Sequence, residues 1–315
     1  MINNKLFLVL VVSLAMLLLG CARESDMSVS DEYITVTDAL SREVKVQKNP
    51  ERVAALIGSF ADVWTLAGGT LCATAEDAWD DFSLELDDAV NIGGAHSPSL
   101  ELLLSSRPEL VIASASTASN VQMREPLERM GITVIYFDVD NFEDYLDMLF
   151  VCTSITGRAD LYQHNGTEVK ARVDAIKAEF ASAALSEDER RVLVLRASST
   201  SLKAKGSRST ILGELLADIG CINIADSDST ILDNLSVESI LTLSPGHIFV
   251  VTMGSESGAM DNIRRNVIES SVWQSVEAVR EGRLHLMDRH LFNLKPNARW
   301  ADSYEKICGI MLGEE

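Results

Sequence analysis

Two glutamates stand at matching places in two similar stretches of the chain. "SLELLLSSRPELVIA" runs from Ser99 to Ala113, and "SVESILTLSPGHIFV" from Ser236 to Val250. From Ser99 to Ser236 the offset is 137 residues, and it also joins Glu101 to Glu238, Leu104 to Leu241 and Pro108 to Pro245. A carboxylate in the first turn of a helix meets the positive end of the helix dipole, an effect of about 0.3–1 kcal/mol. The same side chain repeated at the same place in two units asks for a use beyond that.

The other reactive side chains are scattered. His96, His164, His247, His285 and His290 form no HxH pair and no histidine-rich loop. The spacing of Cys72, Cys152, Cys221 and Cys308 gives no CxxC and no Cys/His metal pattern. Each sits in an apolar context and reads as a buried free thiol; a disulfide among them cannot be inferred. Walker A, HExxH and GxSxG motifs are missing, and "GSESG" (Gly254–Gly258) carries Glu256 where a nucleophile would stand. Arg196, Lys203 and Lys205 gather in "RASSTSLKAKG" and could pair with carboxylates or other anions. The alternative is a solvated loop.

Charge and length limit the partners. The 315 residues suit two domains or lobes, and 27 basic against 47 acidic side chains give a formal net charge of -20. Nucleic-acid binding rests on clustered Lys and Arg, and no such run occurs. At the N-terminus one lysine, Lys5, precedes an apolar run from Leu6 to Leu19, followed by Gly20-Cys21. Such a run reaches only about 21 Å as a helix, short of a ~30 Å hydrocarbon core. It reads as a signal peptide (1–20). "LLLGC" resembles a bacterial lipobox, which implies cleavage before Cys21 and lipidation of its thiol. A diacylated Cys21 would hold the protein on the outer face of a membrane. The polar segment 21–32 reads as a flexible tether.

Behind the tether the chain alternates strand and helix twice. "ERVAAL", "TLCATA", "ELVIAS" and "TVIYFD" read as strands in an N-terminal lobe (33–150), with helices between them. "RRVLVLRA", "CINIAD", "HIFVVTMG" and "RLHLMD" read as strands in a C-terminal lobe (190–315). Near-continuous apolar strands suit parallel sheets covered on both faces. The expected fold is therefore α/β, two Rossmann-like lobes with mostly parallel sheets. The linker, 151–189, has no Gly or Pro from Thr167 to Leu185 and apolar residues at Val169, Val173, Ile176 and Phe180. One long helix is expected there, joining the lobes with little hinge motion.

Ligands of open α/β sheets bind beyond the carboxyl ends of the strands. In the first lobe those segments carry Ser59, Phe60, Trp79, His96 and Ser116. In the second they carry Arg196, Lys203, Lys205, Met253, His290 and Asn293. Trp79 and Phe60 are read either as walls for a macrocycle or as core. Arg299, in "LFNLKPNARW", is read either as a fastener of the last helix or as a ligand contact. His247 and His285 are expected to be structural. An anchored, acidic, two-lobed protein outside the cytoplasm is most simply a capture device for a solute.

"VTDALSREVKVQKNPERVAAL", "LGELLADIGCINIAD", "LSVESILTLSPGHIFVV" and "WQSVEAVREGRLHLMD" resemble, in this order, segments of the iron-siderophore, haem and vitamin B12 substrate-binding proteins of bacterial ABC importers. The resemblance spans about Tyr33 to Met311. It implies a class III periplasmic-binding-protein fold, an interlobe ligand (iron complex, haem or cobalamin), no catalysis and no cofactor. It also implies partners: a permease with its ATPase, docked through Glu101 and Glu238. A monomer is expected. The alternatives are a binding protein for bare zinc or manganese and an anchored extracellular hydrolase.

Overall fold

The computed structural model describes residues 27–314. The expected signal peptide, Cys21 and the first part of the expected tether lie outside the described residues.

An antiparallel ribbon comes first: β1 (Met27–Val29), β2 (Tyr33–Thr37) and β3 (Glu43–Gln47). β1 lies within the stretch read as a flexible tether and is instead paired with β2, which follows that stretch. Ile34, Val36 and Val46 turn inward at the strand period of two. The ribbon is tied to the first lobe where Ala39 N–H donates to Tyr136 O at 2.9 Å.

The first lobe is a five-stranded sheet in the order β6-β5-β4-β7-β8. Its strands are β4 (Val53–Ala55), β5 (Ala73–Thr74), β6 (Val90–Asn91), β7 (Leu110–Ser114) and β8 (Thr133–Phe137). All pairings are parallel. Every residue of β7 is buried, as a strand covered on both faces should be. Helix α1 (Gly58–Leu66) leaves β4, α2 (Asp77–Asp80) leaves β5, and α3 (Leu100–Ser105) precedes β7.

Helix α4 (Phe142–Thr156) begins in a capping box: Asn141 Oδ1 accepts from Asp144 N–H, and the Asp144 carboxylate from Asn141 N–H. It runs through the expected lobe boundary at 150. The linker helix α5 (Glu168–Ser182) is shorter than expected at its C-terminal end. A helical turn at Ala159–Tyr162 and a π-turn at Gln163–Thr167 lead into it, so the helical path begins before the expected Thr167. The π-turn has a local cause. Asn165 Nδ2 donates to Leu66 O at 2.9 Å, and Asn165 O accepts from Tyr145 Oη at 2.9 Å.

The second lobe has β9 (Arg191–Ala197), β10 (Leu202–Lys205), β11 (Ile222–Asn223), β12 (His247–Thr252) and β13 (Leu284–Met287). β11 and β12 run parallel to β9, and β13 parallel to β12. β10, read from sequence as part of a loop, is instead an antiparallel strand on the carboxyl half of β9. Its helices include α6 (Ile211–Asp218), α7 (Val237–Leu243), α8 (Arg289–Phe292) and the last helix α9 (Trp300–Leu312).

Alternation along β9 separates the core layers. Leu193, Leu195 and Ala197 face a core confined to the second lobe. Val192 and Val194 face a larger one that continues through α9, α5 and α4 to Val53, Ala55 and Trp64 of the first lobe. The lobes are thus joined by shared apolar packing as well as by a linker. Phe142 of α4 lies 5.8 Å, centroid to centroid, from Trp300 of α9.

Candidate functional site

Segments that follow β13 in the second lobe meet segments that follow β4 and β5 in the first. Just past β13, His290 Nδ1 lies 3.0 Å from Asp81 O, beyond β5 and α2. A carbonyl only accepts, so Nδ1 carries the proton in this contact. Arg289 Nη2 lies 3.0 Å from the Asp81 carboxylate. Deeper in, Asn297 Nδ2 donates to Ser59 O at 2.9 Å and to Asp62 Oδ2 at 2.7 Å. One side of the interlobe cleft is closed by these contacts.

The first-lobe wall is set by close backbone approach. A Cβ on Gly58 would stand 2.6 Å from the backbone of Asp77 and Ala78, so only glycine lets α1 and α2 meet there. Gly58 N–H in turn donates to Asp77 Oδ2 at 2.9 Å. Burial raises the Asp77 carboxyl above its usual range, against the pull of that hydrogen bond. Trp79 is half-buried against the core beside this wall, while His96 and Ser116 are exposed on neighbouring loops. Two expected wall residues are placed differently. Phe60 is core, 1 % exposed and edge-on to Phe137 at 6.2 Å. Ser59 is buried and presents its carbonyl to Asn297.

On the second-lobe wall, Arg196 stands opposite Lys203 across the β9–β10 ladder, and Val194 opposite Lys205. Directly opposed residues share a face, and a period of two brings Lys205 to the same face. Burial lowers the affinity of Arg196 for its proton; burial, then Arg196 and Lys203, do the same to Lys205. The hairpin is pinned from behind. Asn223 Nδ2 donates to Lys205 O at 2.7 Å, and Asp226 Oδ1 accepts from Ser207 N–H at 2.9 Å. Met253 is exposed, and Asn293 half-buried after α8. Arg299 is turned to Asp302 of α9 at 3.3 Å, which suits the fastening of that helix.

Glu101 and Glu238 are exposed at the second position of α3 and of α7. The preceding Ser99 and Ser236 each cap the helix, accepting from the N–H of Leu102 and of Ser239 at 3.3 Å. Arg107 and Ser244, at the same offset, both take left-handed φ, 48° and 45°. The repeat in the sequence is a repeat in the backbone.

Residues 53–291 match the model of the periplasmic binding protein family. The chain belongs to that family.

Other likenesses agree with the assignment. This periplasmic binding protein is 25 % identical over 302 residues to the Fe(3+)-citrate-binding protein YfmC of Bacillus subtilis, covering 91 % of this chain and 90 % of that protein. It is 23 % identical over 293 residues to YvrC, named as an uncharacterized ABC transporter substrate-binding lipoprotein of the same organism, covering 88 % and 87 %. In fold it is similar to the periplasmic catecholate-siderophore binding protein VctP of Vibrio cholerae: TM-score 0.68, 16 % identity, 90 % of this chain and 100 % of that one. Asp62 and Arg289 escaped the sequence reading, because each meets a partner far away in sequence, which no local pattern announces. Asn297 and Lys295 belong to the stretch "LFNLKPNARW", and the partners they meet are equally distant. Lys295 is held between lobes; burial lowers its proton affinity while Asp140, Asp138 and Asp144 oppose that shift. Among the described residues no group of three or more His, Cys, Asp or Glu is placed to hold a metal ion. Cys72, Cys152, Cys221 and Cys308 are free thiols.

Proposed function

We propose that this periplasmic binding protein captures an iron complex (siderophore or haem) or cobalamin between its lobes and delivers it to an ABC importer. It is a substrate-binding protein of an ABC transporter, anchored outside the cytoplasm through a lipid on Cys21 and working as a monomer without catalysis. Glu101 and Glu238 dock one lobe each on the permease, which works with its own ATPase. The observation that carries the reading is the meeting of the two lobes beyond the carboxyl ends of β4, β5 and β13, through Asn297, Arg289 and His290. Clefts between lobes are preferred small-molecule sites. The names of the relatives, one for ferric citrate and one for an ABC substrate-binding lipoprotein, support the ligand class and the anchor.

The test is spectroscopic. Full-length protein in detergent is titrated with ferric siderophores, haemin and cyanocobalamin. A shifted Soret band, tryptophan quenching or co-elution of cobalamin is expected for one class. Hydrolysis of an ester or peptide panel with no ligand retained would replace the reading by the enzyme alternative. Cys21→Ser should leave the precursor unprocessed or release the protein from the membrane.

A further inference from the structure

We propose that β1 aims the lipid anchor: it brings the chain onto the first lobe at the side that carries Glu101, and so holds that side toward the bilayer. The inference rests on the reading of Cys21 as the lipidated residue and deepens it.

The hairpin that holds β1 is closed by its own residues. Ser30 and Tyr33 bracket a two-residue turn, with Ser30 N–H donating to Tyr33 O at 2.8 Å. The Ser30 hydroxyl donates to the same carbonyl at 2.9 Å and accepts from Tyr33 N–H at 3.0 Å. The register then sets Val29 opposite Ile34, Ser28 opposite Thr35 and Met27 opposite Val36.

The ribbon is fastened at a known end of the first sheet. Ala39 N–H donates to Tyr136 O at 2.9 Å, next to the last residue of β8. The Asp38 carboxylate, fully buried, accepts from the N–H of Leu40, Arg42 and Tyr136 at 3.0, 3.1 and 3.3 Å. The turn between β2 and β3 therefore lies at the carboxyl ends of the strands. The other end of the ribbon lies toward the amino ends, where Glu51 N–H donates to the Glu109 carboxylate at 2.8 Å, directly before β7. β1 is antiparallel to β2, so Met27, level with Val36, stands at the carboxyl-end turn. Glu101 shares that side. Ser99 N–H donates to Ile92 O at 2.7 Å, directly after β6, and Ser106 O accepts from Arg52 Nε at 2.9 Å, directly before β4. Helix α3 thus runs from carboxyl to amino ends, with Glu101 in its first turn.

Five residues, Ala22 to Asp26, separate Cys21 from Met27. A chain of that length spans at most about 21 Å, against about 40 Å for one free as far as Tyr33. A lobe of about 100 residues has a radius of gyration of about 13 Å, which puts its far side roughly 30 Å away around the surface. The pairing of β1 therefore keeps the amino-end side of the first lobe off the bilayer. A tether free to residue 32 would let the lobe turn either way.

The experiment uses full-length lipidated protein on vesicles of phosphatidylethanolamine and phosphatidylglycerol with an acceptor dye on the headgroups. A donor dye is placed on Glu43→Cys or Gln47→Cys, exposed positions at the two ends of β3. Cys72→Ser is included in both, since the other thiols among the described residues are buried. Four strand steps separate the dyes by about 14 Å, and energy transfer should place the one on Glu43→Cys about 10 Å nearer the bilayer. Bonded pairs alternate in an antiparallel ladder, so the Ser30–Tyr33 pair makes Ser28 with Thr35 the next. Ser28→Pro removes that N–H and should abolish the difference. A ten-residue Gly-Ser spacer between Ser25 and Asp26 leaves the ribbon intact and should abolish it as well. Equal transfer from both dyes with the protein on the vesicles overturns the inference and leaves the anchor standing. A difference that survives the spacer does the same. Cys21→Ser protein that binds the vesicles as wild type does overturns the anchor reading and the inference with it.

Discussion

Asn297 and Asp62, 235 positions apart, share a 2.7 Å hydrogen bond that fastens the two lobes. Asn297 is 1 % exposed and adopts left-handed φ of 53°. Burial raises the Asp62 carboxyl above its ordinary range, and the amide of Asn297 partly opposes that rise.

Asn297→Gly keeps the backbone geometry and removes both donated bonds. Urea unfolding should show a loss of about 1–3 kcal/mol, the cost of leaving buried acceptors unpaired. A midpoint equal to wild type would mean that water replaces the amide without loss.

Rigidity is expected of the linker. Val169, Val173 and Phe180 of α5 are buried, and Arg172 reaches Asp302 and Glu305 of α9 at 3.3 and 3.4 Å. Scattering profiles with and without ligand should nearly superimpose. Exposed Ala175→Pro should cost about 3 kcal/mol or more, because it removes an intrahelical bond and clashes with the preceding turn. A marked compaction of the wild type on binding would contradict the rigid bridge.

The paired glutamates separate docking from helix stabilisation. Glu101→Lys and Glu238→Lys should leave ligand affinity near wild type and reduce uptake, with roughly additive losses for sites so far apart. Loss of one partner of a buried interface charge pair costs about 2–5 kcal/mol. If both side chains serve only the helix dipole, the melting temperature falls slightly and uptake at matched protein level does not change.

His247 and His285 make stability depend on pH. Their rings stack, with Nδ1 of one 3.0 Å from Nε2 of the other. One ring must donate and the other accept, so protonation at the accepting nitrogen breaks the pair, and protonation of both rings sets two like charges together. Burial lowers His285 to about 4, helped by His247, Lys306 and Arg283; burial and Arg283 lower His247. An unfolded histidine titrates near about 6.5, so the unfolded chain binds protons first as the pH falls. Stability is then complete above about pH 6.5 and declines toward about pH 4. Urea midpoints across that window should follow this slope in wild type, and His285→Gln should flatten it. An unchanged slope in the variant would assign the dependence to carboxylates.

The amino-acid sequence by itself determined the two-lobed α/β order, since apolar runs, serine caps and glycine stops are local and each lobe repeats them. It determined the helical linker from periodicity, and the matching of α3 with α7 from the repeated Ser, Glu, Leu and Pro; the left-handed turns at Arg107 and Ser244 came only with the structure. Only the tertiary structure decided which reactive side chains meet. Phe60 and Met253 both follow strands, yet one is core and the other 48 % exposed, because burial depends on what packs from the far side of the chain. β10 has only four residues, too few for a periodic signal, and its antiparallel pairing with β9 is a long-range choice. Whether Arg196 is paired was decided in the same way. An ion pair depends on distance in space, and among the described residues the fold brings no carboxylate into ion-pair distance of that guanidinium.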